Sequence, residues 1–417
     1  MVQQEQADHR EVPGSDVDII VRARSVAARL AKKAQEVDEA REVPPESITD
    51  LHEAGLLSMA IPSAQGGTEV DFLTQLIVIE TIGGACASTG WCLANHTAAV
   101  KRAQGLMGDR ITPYTEAIVA EGALLSHGIV PSGTTRPAPG GYVSTGSWPF
   151  VSGSIRARWA FLGTLVPGPP PGWTPNDGAN PPESHVRRLL VELDNPGVRI
   201  EPTWLAMSLR ASMSHDVVLD EVFVREELAI DSPAIGPLEL LVPDSTGVLR
   251  LPAGGPVVGG APCAAMSLGI AQAALRETIE YAKAGSMTLG GNRRTSMPGN
   301  QFAVADAAMW IEAGRAILHQ KAREIMSRAE SDEPFTAQDL AGFAMASIVA
   351  CENSQKAVDR LFSVRGAHGL YETDPFQRHY RDVRFGTLVA GSAPDLMREQ
   401  VGKYLFDIPE DVQPRWS

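Results

Sequence analysis

The chain is short of the features that several kinds of chemistry require. Its cysteines number only four, Cys86, Cys92, Cys263 and Cys351, and they are scattered without metal-ligand spacing. No zinc or disulfide framework is therefore expected, and Cys86 and Cys92, in apolar helical surroundings, read as small buried hydrophobes. Positive charge is also scarce: 36 lysines and arginines face 50 aspartates and glutamates, a net charge of −14. That balance argues against nucleic acid or an anionic membrane as partner, because both select basic surfaces. No apolar run approaches the ~20 residues of a membrane span. Met1 to Arg10 is polar and charged, with no signal-peptide core. Nor is there a Gly-x-Gly-x-x-Gly between a strand and a helix, so no nicotinamide site is expected. What these absences leave is a globular, cytoplasmic protein of a reducing compartment. Its 417 residues, 44% of them hydrophobic, suffice for a sizeable core over two or three domains.

The most informative stretch is Gly140-Gly141-Tyr142-Val143-Ser144-Thr145-Gly146-Ser147-Trp148-Pro149-Phe150-Val151-Ser152-Gly153. A Gly-Gly turn opens it and strand-like alternation follows. On a regular strand Trp148, Phe150 and Ser152 share one face. Aromatics beside a small hydroxyl suit a flat conjugated ring better than a phosphate. The same pattern also describes an ordinary half-buried strand with aromatics in the core.

Around this stretch the periodicity changes twice. Helical spacing runs from about Val17 through Leu30. It resumes after Pro44-Pro45, where proline suits a helix start, and continues from Asp71 to Gly83. Ala85 to His96 is helical and rich in small residues, and a buried His96 there needs a hydrogen-bond partner. His96 is thus either a satisfied core histidine or a functional one. From Ala123 to Val224 alternation predicts strands over 124–130, 140–153, 158–165, 187–193 and 217–224, with Asp220-Glu221 as a turn. Pro167 to Ser184 reads as a solvated loop. After a Pro/Gly-rich connection, Pro233 to Pro262, four helical segments predict a bundle: Met266–Tyr281, Phe302–Ile325, Leu340–Phe362 and Leu388–Leu405.

Gly-Gly-Tyr followed by Ser-Thr-Gly-Ser-Trp-Pro-Phe-Val-Ser-Gly resembles the flavin-facing segment of the acyl-CoA dehydrogenase superfamily, closest to its two-component flavin monooxygenases. Leu209-Arg210-Ala211-Ser212-Met213-Ser214 through Val224, the turn Arg365-Gly366-Ala367-His368-Gly369 and the helix opening Arg378-His379-Tyr380-Arg381-Asp382 are similar to later motifs of the same superfamily. The resemblance covers about Val17 to Leu405. It implies an α+β, mostly α fold in three parts: an N-terminal helical domain (17–122), a central β domain (123–232), and a connection with a C-terminal four-helix bundle (233–417). It further implies catalytic or substrate-contact roles for Ser152, His96 and Ser126. For the flavin it implies contacts from Trp148, Ser152, Arg210, Ser212, Ser214, Gly366 and Gly369, with Arg293 or Arg294 on its phosphate. Bland alternatives stand beside these: a strand-end serine for Ser126, an ion pair for Arg210, a solvated turn for Arg293 and Arg294.

The chain departs from the dehydrogenases where they carry a catalytic glutamate soon after Arg-Asp. Here the element reads Val389-Ala390-Gly391-Ser392, and alanine accepts no proton. The histidine that hydroxylating relatives often carry in this segment is missing too, which leaves His96, His127 and His215 as available imidazoles. The implied function is oxygenation of a small substrate by molecular oxygen and reduced FMN or FAD, the flavin coming from a separate NAD(P)H reductase, in a homotetramer. A dehydrogenase with a relocated base and a non-catalytic binding protein on the same fold are the other readings.

Overall fold

The computed structural model describes residues 14–128, 130–171, 183–232, 239–240, 251–252, 259–285, 291–331, 335–389 and 393–408. Five helices come first: α1 (Gly14–Ala40), α2 (Pro45–Glu53), α3 (Phe72–Ala85), α4 (Ala87–Met107) and α5 (Thr112–Glu121). Pro45 opens α2 at its first turn, where no backbone donor is needed. Asp71 caps α3 by accepting the Thr74 amide at 2.7 Å.

Eight strands follow: β1 (Leu124–Gly128), β2 (Thr134–Ala138), β3 (Gly141–Val151), β4 (Ala157–Pro167), β5 (Ser184–Glu192), β6 (Val198–Glu201), β7 (His215–Arg225) and β8 (Ala229–Ser232). They form two sheets, β1-β4-β5-β8 and β2-β3-β7-β6; β1 runs parallel to β4, and the other pairs are antiparallel. A two-residue pairing of β9 (Glu239–Leu240) with β10 (Leu251–Pro252) lies within the connection, most of which falls outside the described residues. The last part is α6 (Ala261–Lys283), α7 (Pro298–Glu330), α8 (Ala337–Arg365), α9 (Phe376–Asp382) and α10 (Pro394–Leu405).

Alternation alone misplaced two features. Asp220-Glu221 is no turn: both residues lie inside β7, where Glu221 takes φ +53° and the pairing with β3 slips by a residue. A bulge bends a strand without ending it. The expected fourth helix over Leu388–Leu405 starts later, as α10 at Pro394, and is preceded by the short α9 and a 3-10 turn that ends at Thr387. Ala390 to Ser392, where the missing carboxylate was noted, lie outside the described residues.

One apolar core runs through helices, sandwich and bundle. The N-terminal helices join the bundle where α3 meets α6. A Cβ on Gly269 would lie 2.0 Å from the Glu80 carbonyl oxygen, so only glycine permits this approach. Arg315 of α7 secures the same corner through Glu80, Nε to Oε1 2.9 Å.

Candidate active site

The end of β3 does not continue as a regular strand. Phe150 takes φ +60°, and the ladder to β7 slips between Trp148 and Val151. A bulky residue at positive φ is strained, and a bulge re-aims the side chains on either side of it. Trp148, Phe150 and Ser152 therefore do not share a face. Trp148 is 0% exposed, its Nε1–H donating to the Gly163 carbonyl at 2.7 Å, so the indole fills the space between the sheets. Phe150 is turned outward, 64% exposed, and meets Trp204 edge-on at 6.2 Å between centroids. Leu205 and Met207, on the loop after Trp204, are exposed as well. The result is an exposed apolar shelf.

Behind the shelf lies a row of buried hydroxyls. Ser152 Oγ is 2.8 Å from Ser214 Oγ, and Ser214 Oγ is 2.8 Å from Ser212 Oγ. Trp91 of α4 closes the row, its Nε1–H donating to Ser152 Oγ at 2.8 Å. Ser126 of β1 donates to the Ser152 carbonyl at 2.7 Å. Serines expected from separate stretches are thus brought together, because β1, β3 and the loop entering β7 converge on one corner.

Three charged groups hold that loop. Arg41 donates to the Ala206 carbonyl at 3.1 Å, Arg381 to the Met207 carbonyl, and the Leu209 amide to Asp382 Oδ1 at 2.8 Å. Burial raises the Asp382 carboxyl to about 6 against the opposing Leu209 amide and Arg381. Arg210 pairs with the buried Asp38 at 3.6 Å, an anion it shares with Arg381. Cys92 rests against the Ser212 carbonyl, and burial pushes its thiol up to about 12, so it carries no thiolate at neutral pH.

His96 is enclosed and fully engaged. Its Nε2–H donates to the Leu57 carbonyl at 3.0 Å, and its Nδ1 accepts the Leu125 amide at 2.9 Å. The pair of bonds assigns the neutral Nε2–H tautomer. Burial depresses its pKa to about 4. No ring nitrogen is left for a substrate here; the imidazole ties α4 to β1 beside Ser126.

The remaining expected residues lie together elsewhere. Arg294 donates to the Val364 carbonyl at 3.1 Å and packs over Tyr281, while Arg293 is solvent-exposed. Gly366 ends α8 at φ +60°, and Gly369 is packed so tightly that a Cβ would lie 3.2 Å from Arg365 Cβ. Trp91, Trp204, Asp38 and Asp382 received no role from sequence. Trp91 sat in the small-residue helix beside His96, a usable signal; Trp204 had none.

The chain matches two family models in succession, the acyl-CoA dehydrogenase N-terminal domain over residues 21–108 and the C-terminal domain over residues 261–392. It is 26% identical over 392 residues to the flavin-dependent monooxygenase oxygenase subunit HsaA of Rhodococcus jostii (strain RHA1), covering 91% of this chain and 96% of that protein. It is 27% identical over 395 residues to the oxygenase component of an FADH(2)-dependent resorcinol hydroxylase of Rhizobium sp. (strain MTP-10005), covering 88% of each. Among solved structures, XiaF from Streptomyces sp. in complex with FADH2 and glycerol superimposes with TM-score 0.80 at 22% identity, covering 97% of this chain and 98% of that one.

Proposed function

The chain belongs to the acyl-CoA dehydrogenase family, and from that premise we propose that it is the oxygenase component of a two-component flavin-dependent monooxygenase. Reduced FMN or FADH2 comes from a separate NAD(P)H flavin reductase, and one atom of molecular oxygen goes to a small aromatic or heteroatom-bearing substrate. The observation that carries the reading is the hydroxyl row Ser152–Ser214–Ser212, anchored by Trp91 and bordered by the Phe150–Trp204 shelf. A flat ring needs an apolar surface and hydrogen-bonding groups at its edge, and both are present. The relatives named above support the same reading by their stated activities.

When bound, the reduced flavin supplies the reaction with oxygen. The chain's own part is orientation. Trp91 has only a donor, so Ser152 Oγ accepts from it. If Ser212 donates to Ser214 and Ser214 to Ser152, the Ser152 proton is free to point at the ring edge. Arg41, Arg381 and Asp382 fix the 204–214 loop that carries two of these serines. His96 acts in this reading by holding β1 against α4, so Ser126 keeps its bond to the Ser152 carbonyl. Arg293, exposed, is the available cation for a flavin phosphate, with Gly366 and Gly369 shaping the adjacent turn. Phe302 and Met309, both exposed and about two turns apart on α7, suit burial in a homotetramer.

Anaerobic titration with reduced FMN and with FADH2, followed by oxygen uptake on adding a flavin reductase and NAD(P)H, tests the proposal. Tight binding of a reduced flavin and reductase-dependent oxygen uptake are expected. Rapid bleaching of bound FAD by an acyl-CoA would identify a dehydrogenase instead, and no affinity for either reduced flavin would identify a non-catalytic protein.

A further inference from the structure

Along the first half of α4 the buried polar side chains are engaged one after another. Ser88 Oγ accepts the Ala211 amide at 3.2 Å, and Thr97 Oγ1 donates to the Leu93 carbonyl at 2.9 Å. Trp91 and His96 have the partners already given. Asn95 departs from this pattern. It is 7% exposed, and its Oδ1 is buried without a hydrogen-bond partner among the described residues.

Helix spacing fixes what Asn95 faces. Residues three and four apart are neighbours on one side of a helix. Asn95 follows Cys92 by three positions and Trp91 by four. At roughly 100° per residue it lies between them when viewed down the axis. Both neighbours touch the hydroxyl row: the Trp91 indole donates to Ser152 Oγ, and Cys92 Sγ lies 3.6 Å from the Ser212 carbonyl oxygen. Asn95 is therefore on the face of α4 that meets the row, one turn beyond the row's anchor. The walls there are aromatic. Phe385, in the 3-10 turn after α9, is 5% exposed and meets the Trp91 indole edge-on at 5.4 Å between centroids.

An amide oxygen shut away from water without a donor is costly, and in a native fold such an atom calls for an explanation. A carboxamide oxygen accepts from N–H or O–H groups and has no attraction for an anion. Beside aromatic walls, the group it suits is a donor carried on a flat ring.

We propose that Asn95 is a specificity-determining residue of the oxygenase: its Oδ1 accepts from a hydroxyl or ring N–H of the aromatic substrate, and so selects donor-bearing rings over rings of the same shape without a donor. This role rests on the oxygenase reading and adds a substrate class to it. A buried acceptor left unpaired is what rejects the analogue that brings no donor.

Ligand-observed NMR on the full chain, kept anaerobic, measures binding of two pairs of probes, first alone and then with reduced FMN or FADH2. The pairs are phenol with toluene and indole with benzothiophene; each keeps the shape and loses the donor. Asn95→Leu, of similar volume and without an acceptor, should lower both affinity ratios, donor-bearing over donor-lacking, by roughly tenfold, the equivalent of one hydrogen bond. Asn95→Ala gives the same comparison if leucine prevents folding. Asn95→Asp, whose carboxylate accepts hydrogen bonds, should keep the wild-type ratios. Ratios unchanged in the leucine and alanine variants would overturn the proposal, and would mean that Oδ1 is met by water only. Ratios lost equally in Asn95→Asp, or no binding of any of the four probes, would overturn it too. The two readings fail separately: no affinity for reduced flavin, with the ratios still shifting, sinks the oxygenase and not the Asn95 contact, whereas bound flavin with unshifted ratios sinks the contact alone.

Discussion

The two ends of α4 meet the β domain in opposite ways. Near its start, Trp91 and His96 enter a network of the chain's own groups: the indole donates to Ser152, the Ser152, Ser214 and Ser212 hydroxyls lie in hydrogen-bonded sequence, and the imidazole bonds two backbone groups. Eleven residues beyond Trp91, about 16 Å along the axis, Arg102 Nε and, on β1, His127 Nδ1 are buried without a hydrogen-bond partner among the described residues. Burial is similar at both ends, so solvent exclusion alone does not distinguish them. The difference is in what the chain itself provides. A network held by the chain's own groups fixes its geometry in advance, whereas a buried nitrogen without a partner does not.

Acid should strain both ends alike, and it gives the largest expected effect. His96 and His127 are held neutral in the folded chain, at about 4 and about 3. An unfolded histidine takes its proton near 6.5, so the unfolded state binds more protons as the pH falls from there. Stability should drop from pH 6.5 to pH 4 by up to ~1.4 kcal/mol per pH unit for each histidine. Urea unfolding across that range checks this, and a flat profile would remove both assignments.

Substitution should then separate what acid does not. His96→Leu strands the Leu57 carbonyl and the Leu125 amide, each worth ~1–3 kcal/mol when buried and unpaired, so a loss of about 2–4 kcal/mol is expected. The denaturant midpoint at unchanged slope reads it, and a loss below ~1 kcal/mol would contradict a satisfied clamp. Ser152→Ala removes Trp91's acceptor and the link to Ser214. Hydrogen peroxide release per reduced flavin consumed should rise by ~10–100-fold, the equivalent of ~1.5–3 kcal/mol in one hydrogen bond to a developing charge. Unchanged peroxide release would disconnect the hydroxyl row from the oxygen chemistry. The smallest effect belongs to His127→Leu. It deletes a ring whose Nδ1 has no partner, so stability near pH 7.5 should change by no more than ~0.5–1 kcal/mol. A loss as large as that for His96→Leu would erase the contrast between the two ends.

Legibility in the sequence followed the range of the interactions. Helices with clear spacing and caps, such as α3 behind Asp71 and α2 behind Pro45, stood out because their determinants lie within a few residues. Short strands with weak alternation, β2, β6 and β8, did not. The hydroxyl row was legible as Ser152, Ser212 and Ser214, since each lies in a recognisable local motif. Its anchor was not, because Trp91 lies 61 residues from Ser152.

By itself, then, the sequence determined the order of helical and strand segments, the kinds of residue available at the site, and the absence of glutamate at position 390. These follow from local periodicity, turn chemistry and residue identity. Only the tertiary structure decided that Phe150 turns out while Trp148 turns in, since the bulge that separates them exists only against β7. It likewise decided that His96 is a clamp between α4 and β1, and that the charges of Arg102 and Arg188 act on His127. Such convergence depends on strand register and on which helix covers which face. A one-residue slip would have sent His127 to the other side of the sheet.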